Sequence, residues 1–242
     1  MTVTEHVTPT LAPGDLPPMQ VAQRLSRLRN RLDSAGIDAL VVSELTNIRY
    51  LTGFTGSAAM LLVSADRTLF VTDGRYRTQG AEELGAAGVD AEIEISATAP
   101  DGAVASAASG LERLGLEADS VSWSAQRRWA SELHDGELVA TSGLVEDLRL
   151  IKDAGEVARI RAACAIADDA LLSVSARLQE DPTEREFALE LEAAMMQRGA
   201  DDLSFETIVA SGPNGAKPHH SPSHRHIREG DLVVVDFGAL VD

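Results

Sequence analysis

Apolar residues recur along the first half of the chain with two alternating periods. Val21, Leu25, Leu28 and Leu32 are spaced as one face of a helix, and Gly36 follows as its stop. Residues 37–42 form a short continuous apolar run, the pattern of a buried strand. Two more runs, 58–63 and 68–72, flank Ser64-Ala65-Asp66-Arg67 and predict a hairpin. A helix over 75–84, a strand over 91–95, helices over 102–114 and 125–133, and short strands over 116–121 and 137–140 complete the series. Alternation of this kind predicts an α/β domain with a mixed sheet flanked by helices.

The pattern changes near Leu148. A long helix is predicted over 153–178, with Val157, Ile160, Cys164, Leu171, Val174 and Leu178 along one side. That placement makes Cys164 a packed thiol rather than a nucleophile. Asp181-Pro182 ends the helix, and Thr183-Glu184-Arg185-Glu186 reads as a capping box opening a second helix that stops at Gly199. Strands are predicted over 205–210 and 232–241, separated by a loop rich in Gly, Pro, Asn and His over 211–228. The expected organisation is a disordered polar leader over 1–18, a first domain over 19–150 and a second over 151–242.

Charge and composition narrow the function classes. The net charge is −17 and is evenly spread: residues 1–150 carry 12 basic and 21 acidic side chains, and residues 151–242 carry 9 and 17. Neither part has a basic stripe, which argues against a nucleic-acid partner. The apolar runs are too short to span a bilayer, so no membrane partner is expected. One cysteine excludes an intramolecular disulfide, and residues 1–18 lack the apolar centre of a signal peptide, so the cytoplasm is the expected location. Trp123 and Trp129 read as core or interface anchors.

Three places carry chemistry. Asp236 stands in the apolar run Leu232-Val233-Val234-Val235-Asp236-Phe237-Gly238, where Val234 and Asp236 share one face and Val233 and Val235 the other. A carboxylate buried in such a strand needs a hydrogen bond, an ion pair or a bound cation. Gly238 beside it suits the close approach of a ligand or of another segment of chain. Four of the six histidines, His219, His220, His224 and His226, crowd one loop, in a spacing that matches no metal signature. Ser211-Gly212-Pro213-Asn214-Gly215 reads either as an anion nest or as an ordinary turn. No nucleophile elbow, zinc-peptidase helix motif or phosphate-binding loop is present.

The run from Leu203 to His220, followed by Gly230 to Gly238, resembles the proline-specific metallopeptidases of the pita-bread fold, the Xaa-Pro dipeptidases (prolidases) and aminopeptidases P. Leu148-Arg149-Leu150-Ile151-Lys152-Asp153 with Glu156 resembles the family's entry into the catalytic domain. Asn47-Ile48-Arg49-Tyr50-Leu51-Thr52-Gly53-Phe54 and Val71-Thr72-Asp73-Gly74-Arg75-Tyr76 resemble its creatinase-like N-terminal domain. The resemblance implies a creatinase-like domain followed by the first part of an α+β pita-bread catalytic domain. It implies hydrolysis of the peptide bond before proline in a dipeptide or peptide substrate, with a homodimer as the candidate assembly. His219 matches the active-site histidine that hydrogen-bonds substrate, and Asp236 matches the first metal-bridging carboxylate. Family enzymes hold two divalent ions, Mn²⁺ or Co²⁺, with two Asp, one His and two Glu. The other matching ligand positions fall past residue 242, so the chain as it stands is expected to be an inactive truncated form that does not bind a defined metal pair. An aminopeptidase P and a non-enzymatic creatinase-like binding or dimerisation module are the alternatives.

Overall fold

A computed structural model describes residues 16–97, 100–133 and 136–242. Residues 1–15 of the expected leader lie outside the described residues. The chain divides into two compact units, one spanning Gln20–Lys152 and the other combining residues 16–19 with Asp153–Asp242.

In the first unit, α1 (Arg24–Ala35) buries Leu25, Leu28 and Leu32, as their spacing predicts. It leads into β1 (Ala39–Val42), α2 (Leu45–Thr52) and the hairpin of β2 (Ala59–Ser64) and β3 (Thr68–Asp73). Then follow α3 (Arg77–Ala86), β4 (Glu92–Ser96), α4 (Pro100–Ala107), β5 (Arg113–Glu117), α5 (Trp123–Glu132), β6 (Glu137–Thr141) and α6 (Glu146–Leu150). The six strands form one mixed sheet in the order β4-β3-β2-β1-β5-β6. β2 is antiparallel to both its neighbours, and the remaining pairs are parallel. Alternate residues of β1 serve opposite faces. Leu40 and Val42 pack with Leu28, Ile48 and Phe70, whereas Ala39 and Val41 pack with Val104 and Trp129.

The predicted helix over 102–114 ends at Ala107, and Arg113 and Leu114 belong to β5, which runs over 113–117 rather than 116–121. Leu114 and Leu116 are buried in a strand held between β1 and β6, and that pairing overrides the local helical spacing. The two tryptophans part company: Trp129 is 2 % exposed and Trp123 is 77 % exposed. At the end of β5, Glu117 is buried and accepts from Ser43 N (2.7 Å), Glu44 N (2.9 Å) and Asn47 Nδ2 (2.8 Å). Asn47 in turn accepts from Arg149 Nη1 at 3.0 Å. Burial pushes the Glu117 carboxyl above its ordinary range, against the pull of those hydrogen bonds.

The second unit packs α7 (Ala154–Val174) and α8 (Glu184–Gln197) with two ribbons of antiparallel strands. One ribbon pairs β7 (Asp202–Leu203) with β10 (Ala239–Leu240), and the other pairs β8 (Ile208–Ser211) with β9 (Val233–Asp236). The buried residues of α7 include Ile166, Ala170 and Val174; of the predicted stripe, Val174 is buried and Leu171 and Leu178 pack partly buried against the same core. Ile160 and Cys164 are exposed, because this helix is covered along a narrower line than its apolar content suggests. The predicted strand over 232–241 is broken at Phe237-Gly238. A side chain at Gly238 would collide with Ser204 Oγ and stand 2.9 Å from Phe205 Cε1, so the close approach there is by the chain itself. Leu16 packs against this core, and Pro17 O accepts from Arg159 Nη1 at 2.9 Å. Among the described residues no helix is long and apolar enough to cross a membrane.

Candidate active site: the histidine loop and the Asp236 ribbon

The start of α8 organises the loop that carries the histidines. Thr183 caps the helix as its sequence predicts: its hydroxyl accepts from Glu186 N at 3.1 Å, and the Glu186 carboxylate accepts from Thr183 N at 2.8 Å. The capping box turns the next residue, Glu184, inward, where it is fully buried. Glu184 Oε1 accepts from Ser211 N (2.7 Å), Ser211 Oγ (2.8 Å) and Asn214 Nδ2 (3.0 Å). Its Oε2 accepts from His220 Nε2 (2.8 Å), Ser223 N (3.1 Å) and Ser223 Oγ (2.6 Å).

Burial alone would raise the Glu184 pKa. The donors from Ser223, Ser211, His220 and Asn214 outweigh it and hold the carboxyl far below the usual carboxylate range. The turn at Ser211–Gly215 is thus an anion site whose anion is internal. The sequence reading missed Glu184 because it stands beside the capping pair and looks like a helix-start acid.

A second clamp closes the loop. The Arg225 guanidinium donates to Asp231 Oδ2 (2.7 Å), Asp231 Oδ1 (3.1 Å) and Ser211 Oγ (2.7 Å). Gly212 has φ +50, and a Cβ there would stand 2.7 Å from Asp231 Oδ1 and 2.8 Å from Arg225 Nη2. Arg225 holds the Asp231 carboxyl below its usual range.

The four histidines do not converge. His219 and His220 line one cavity of about 500 Å³ with Arg185, Leu189, Glu192 and Phe205 among its walls. His226 bonds Asp181 O through Nδ1 at 2.7 Å, and His224 is exposed. His219 is exposed at the cavity. Asp236 lies on β9 directly opposite Ile208, another cavity residue, so the two share a face of the ribbon. Val233 and Val235 turn toward the core and Val234 and Asp236 turn outward, as their alternation predicts. The carboxylate is exposed rather than buried, although Ala210, on the same face of the ribbon, is buried. Among the described residues no hydrogen bond or ion pair joins Asp236 to His219, and no group of three or more His, Cys, Asp or Glu side chains is arranged to hold a metal ion. A pair of divalent ions does not fit what these residues offer, since Asp236 contributes a single carboxylate.

Residues 24–151 match the creatinase/prolidase N-terminal domain, and residues 158–242 match metallopeptidase family M24, which implies divalent metal ions. The chain is 37 % identical over 217 residues to an uncharacterized peptidase, YqhT, of Bacillus subtilis, covering 89 % of this chain and 61 % of that protein. The solved Xaa-Pro dipeptidase from Bacillus anthracis superposes with a TM-score of 0.84 at 37 % identity, covering 90 % of this chain and 61 % of the other. The X-Pro aminopeptidase from Thermotoga maritima gives a TM-score of 0.77 at 31 % identity with the same coverage. The chain therefore spans about three fifths of the length of these relatives. The second unit is part of a pita-bread domain. With more than half its length matched by the N-terminal domain model and the M24 match following directly, the chain belongs to the creatinase/prolidase family of metallopeptidases.

Proposed function

We propose that this chain forms the N-terminal domain, over 19–150, and the first part of the catalytic domain, over 151–242, of an Xaa-Pro dipeptidase-like hydrolase that cleaves the peptide bond before proline. The observation that carries the reading is that the M24 match takes in both His219 and Asp236, while the structure sets His219 at a peptide-sized cavity and Asp236 on the adjoining ribbon. In this reading His219 hydrogen-bonds the substrate. Asp236 is one ligand of a Mn²⁺ or Co²⁺ pair whose other ligands are not among residues 1–242. An Xaa-Pro bond has no amide hydrogen to grip, so recognition falls to groups that hold its carbonyl and the peptide ends. A cytoplasmic homodimer is the setting proposed. The likeness to the Thermotoga maritima X-Pro aminopeptidase supports aminopeptidase P as the second reading.

The test uses two proteins. Residues 1–242 alone should leave an Xaa-Pro dipeptide uncleaved in Mn²⁺. A chain carrying the rest of an M24 domain, fused or added in trans, should cleave it in a Mn²⁺-dependent manner. Preference for longer Xaa-Pro peptides over the dipeptide would select the aminopeptidase. In the active protein Asp236→Ala should abolish cleavage and metal retention together, whereas His219→Ala should lower turnover and leave metal content intact. Metal-stimulated cleavage by residues 1–242, or full activity after Asp236→Ala, would overturn the reading.

A further inference from the structure

The hydrogen bonds around Glu184 have a polarity that fixes the state of a histidine ring. Ser211 Oγ accepts from Arg225 Nη1 at 2.7 Å, so its own hydrogen goes to Glu184. Ser223 Oγ accepts from Arg225 N at 3.2 Å, so its hydrogen also goes to Glu184. Asn214 Oδ1 accepts from Lys217 Nζ at 2.8 Å, which turns the Asn214 NH₂ toward Glu184. The N–H groups of Ser211 and Ser223 can only donate. Apart from His220, every partner of the two carboxylate oxygens is a donor, the surroundings of an ionised carboxylate. The carboxylate is ionised, and the His220 nitrogen 2.8 Å from Oε2 must itself carry a hydrogen.

We propose that Glu184 is a positioning residue for the cavity: it fixes hydrogen on Nε2 of His220, so that Nδ1 is the acceptor whenever the ring is neutral. Such a ring suits a ligand that brings a donor, an N–H or an ammonium group, rather than a bare anion. His220 side-chain exposure is only 10 %, so the ring is held by the loop and does not turn freely in water. That the ligand is a peptide rests on the function proposed above; the ring state does not.

The first measurement needs no variant. In the 242-residue chain labelled with ¹⁵N-histidine, at a pH where the imidazoles are neutral, long-range ¹H–¹⁵N correlation should show His220 with a protonated Nε2 and an unprotonated Nδ1. The exposed His224 should show the averaged signals of mixed tautomers. His220→Gln assigns the resonance by removing it. An Nδ1-protonated or averaged His220 overturns the proposal.

Glu184→Gln places an amide NH₂ against donors. It should average the His220 signals and speed hydrogen exchange at Ser211 N and Ser223 N by about tenfold or more, the equivalent of one hydrogen bond to a charged group. Should that variant not fold, His220→Gln and His220→Glu decide the matter. The first keeps a donor toward Glu184 and should keep the loop's protection, and the second presents a like charge and should lose it. Equal protection in the two overturns the proposal. Failure of the longer protein to cleave Xaa-Pro peptides would remove the peptidase reading and leave the ring state standing, and the converse also holds.

Discussion

Glu184 and Glu117 are both buried carboxylates, and their surroundings push them in opposite directions. Glu184 is held down by its donors despite burial, so it adds stability above its ordinary value of 4.5 and loses that contribution as pH falls below it. Glu117 is raised by burial, so its ionised form costs stability as pH rises, and mild acid relieves that cost. Acidification from neutral should therefore weaken the second unit while sparing the first. Both tryptophans and both tyrosines lie between residues 20 and 152, so aromatic fluorescence reports the first unit alone. Far-ultraviolet circular dichroism should fall at a higher pH than fluorescence changes, and coincident acid transitions would contradict the assignment. Asn47 offers a second check. Asn47→Ala leaves Glu117 and Arg149 each short of a partner and should destabilise the first unit by about 3 kcal/mol in urea melts followed by fluorescence.

Helix α8 joins a local signal to a long-range one. Its capping box is encoded within four consecutive residues, and Thr183→Ala should cost about 1 kcal/mol by the loss of one capped donor. Its inner face is set by Phe187 and Leu191, both fully buried against the second core. Phe187→Ala should cost about 3–5 kcal/mol, mostly as an unfilled cavity. These two changes are separable by their effect on the loop. Truncating Phe187 should lower the midpoint of unfolding and leave the Ser211 and Ser223 amides protected at temperatures where the unit is folded. Gly212→Ala acts on the loop itself, because its positive φ and the nearby Arg225–Asp231 pair leave no room for a methyl group. Exchange at Ser211 N should rise in that variant with little change in the first unit's fluorescence transition.

At the scale of the whole chain, the segment at the division between the units is the expected site of proteolysis. Leu150 and Ile151 are 67 % and 79 % exposed, next to the division at Lys152 and Asp153. Limited proteolysis should leave a stable fragment ending near residue 150, and a resistant fragment running unbroken across 140–200 would contradict the division. The apolar side chains left open in the second unit include Leu189, Phe205, Leu232 and Val234. Calorimetry with Mn²⁺ or Co²⁺ on residues 1–242 should show weak binding without a two-ion stoichiometry, since Asp236 brings one carboxylate and the histidines are spread over different partners. Two tight sites would mean that ligands come from further side chains of this chain or from a second copy of it.

The sequence by itself determined what depends on neighbours along the chain. Leu25, Leu28 and Leu32 marked the buried face of α1, the Ser64–Arg67 turn marked the β2–β3 hairpin, and Thr183 with Glu186 marked the start of α8. The alternation around Asp236 gave the facing of β9, and the motifs around His219 and Asp236 gave the family. Partners distant in sequence decided the rest. Leu114 joined a strand because β1 and β6 stood ready on either side of it. Cys164 came out exposed because α7 is covered along another line, and Asp236 is exposed while Ala210, on the same face of its ribbon, is buried. Glu184 shows the division most plainly. Its neighbours in sequence say only that a helix begins, and its seven contacts come from residues 27 to 39 positions away, gathered by a loop that folds back onto the helix end. Local periodicity encodes which face of an element is apolar, but a buried charge is defined by the donors that tertiary packing delivers to it.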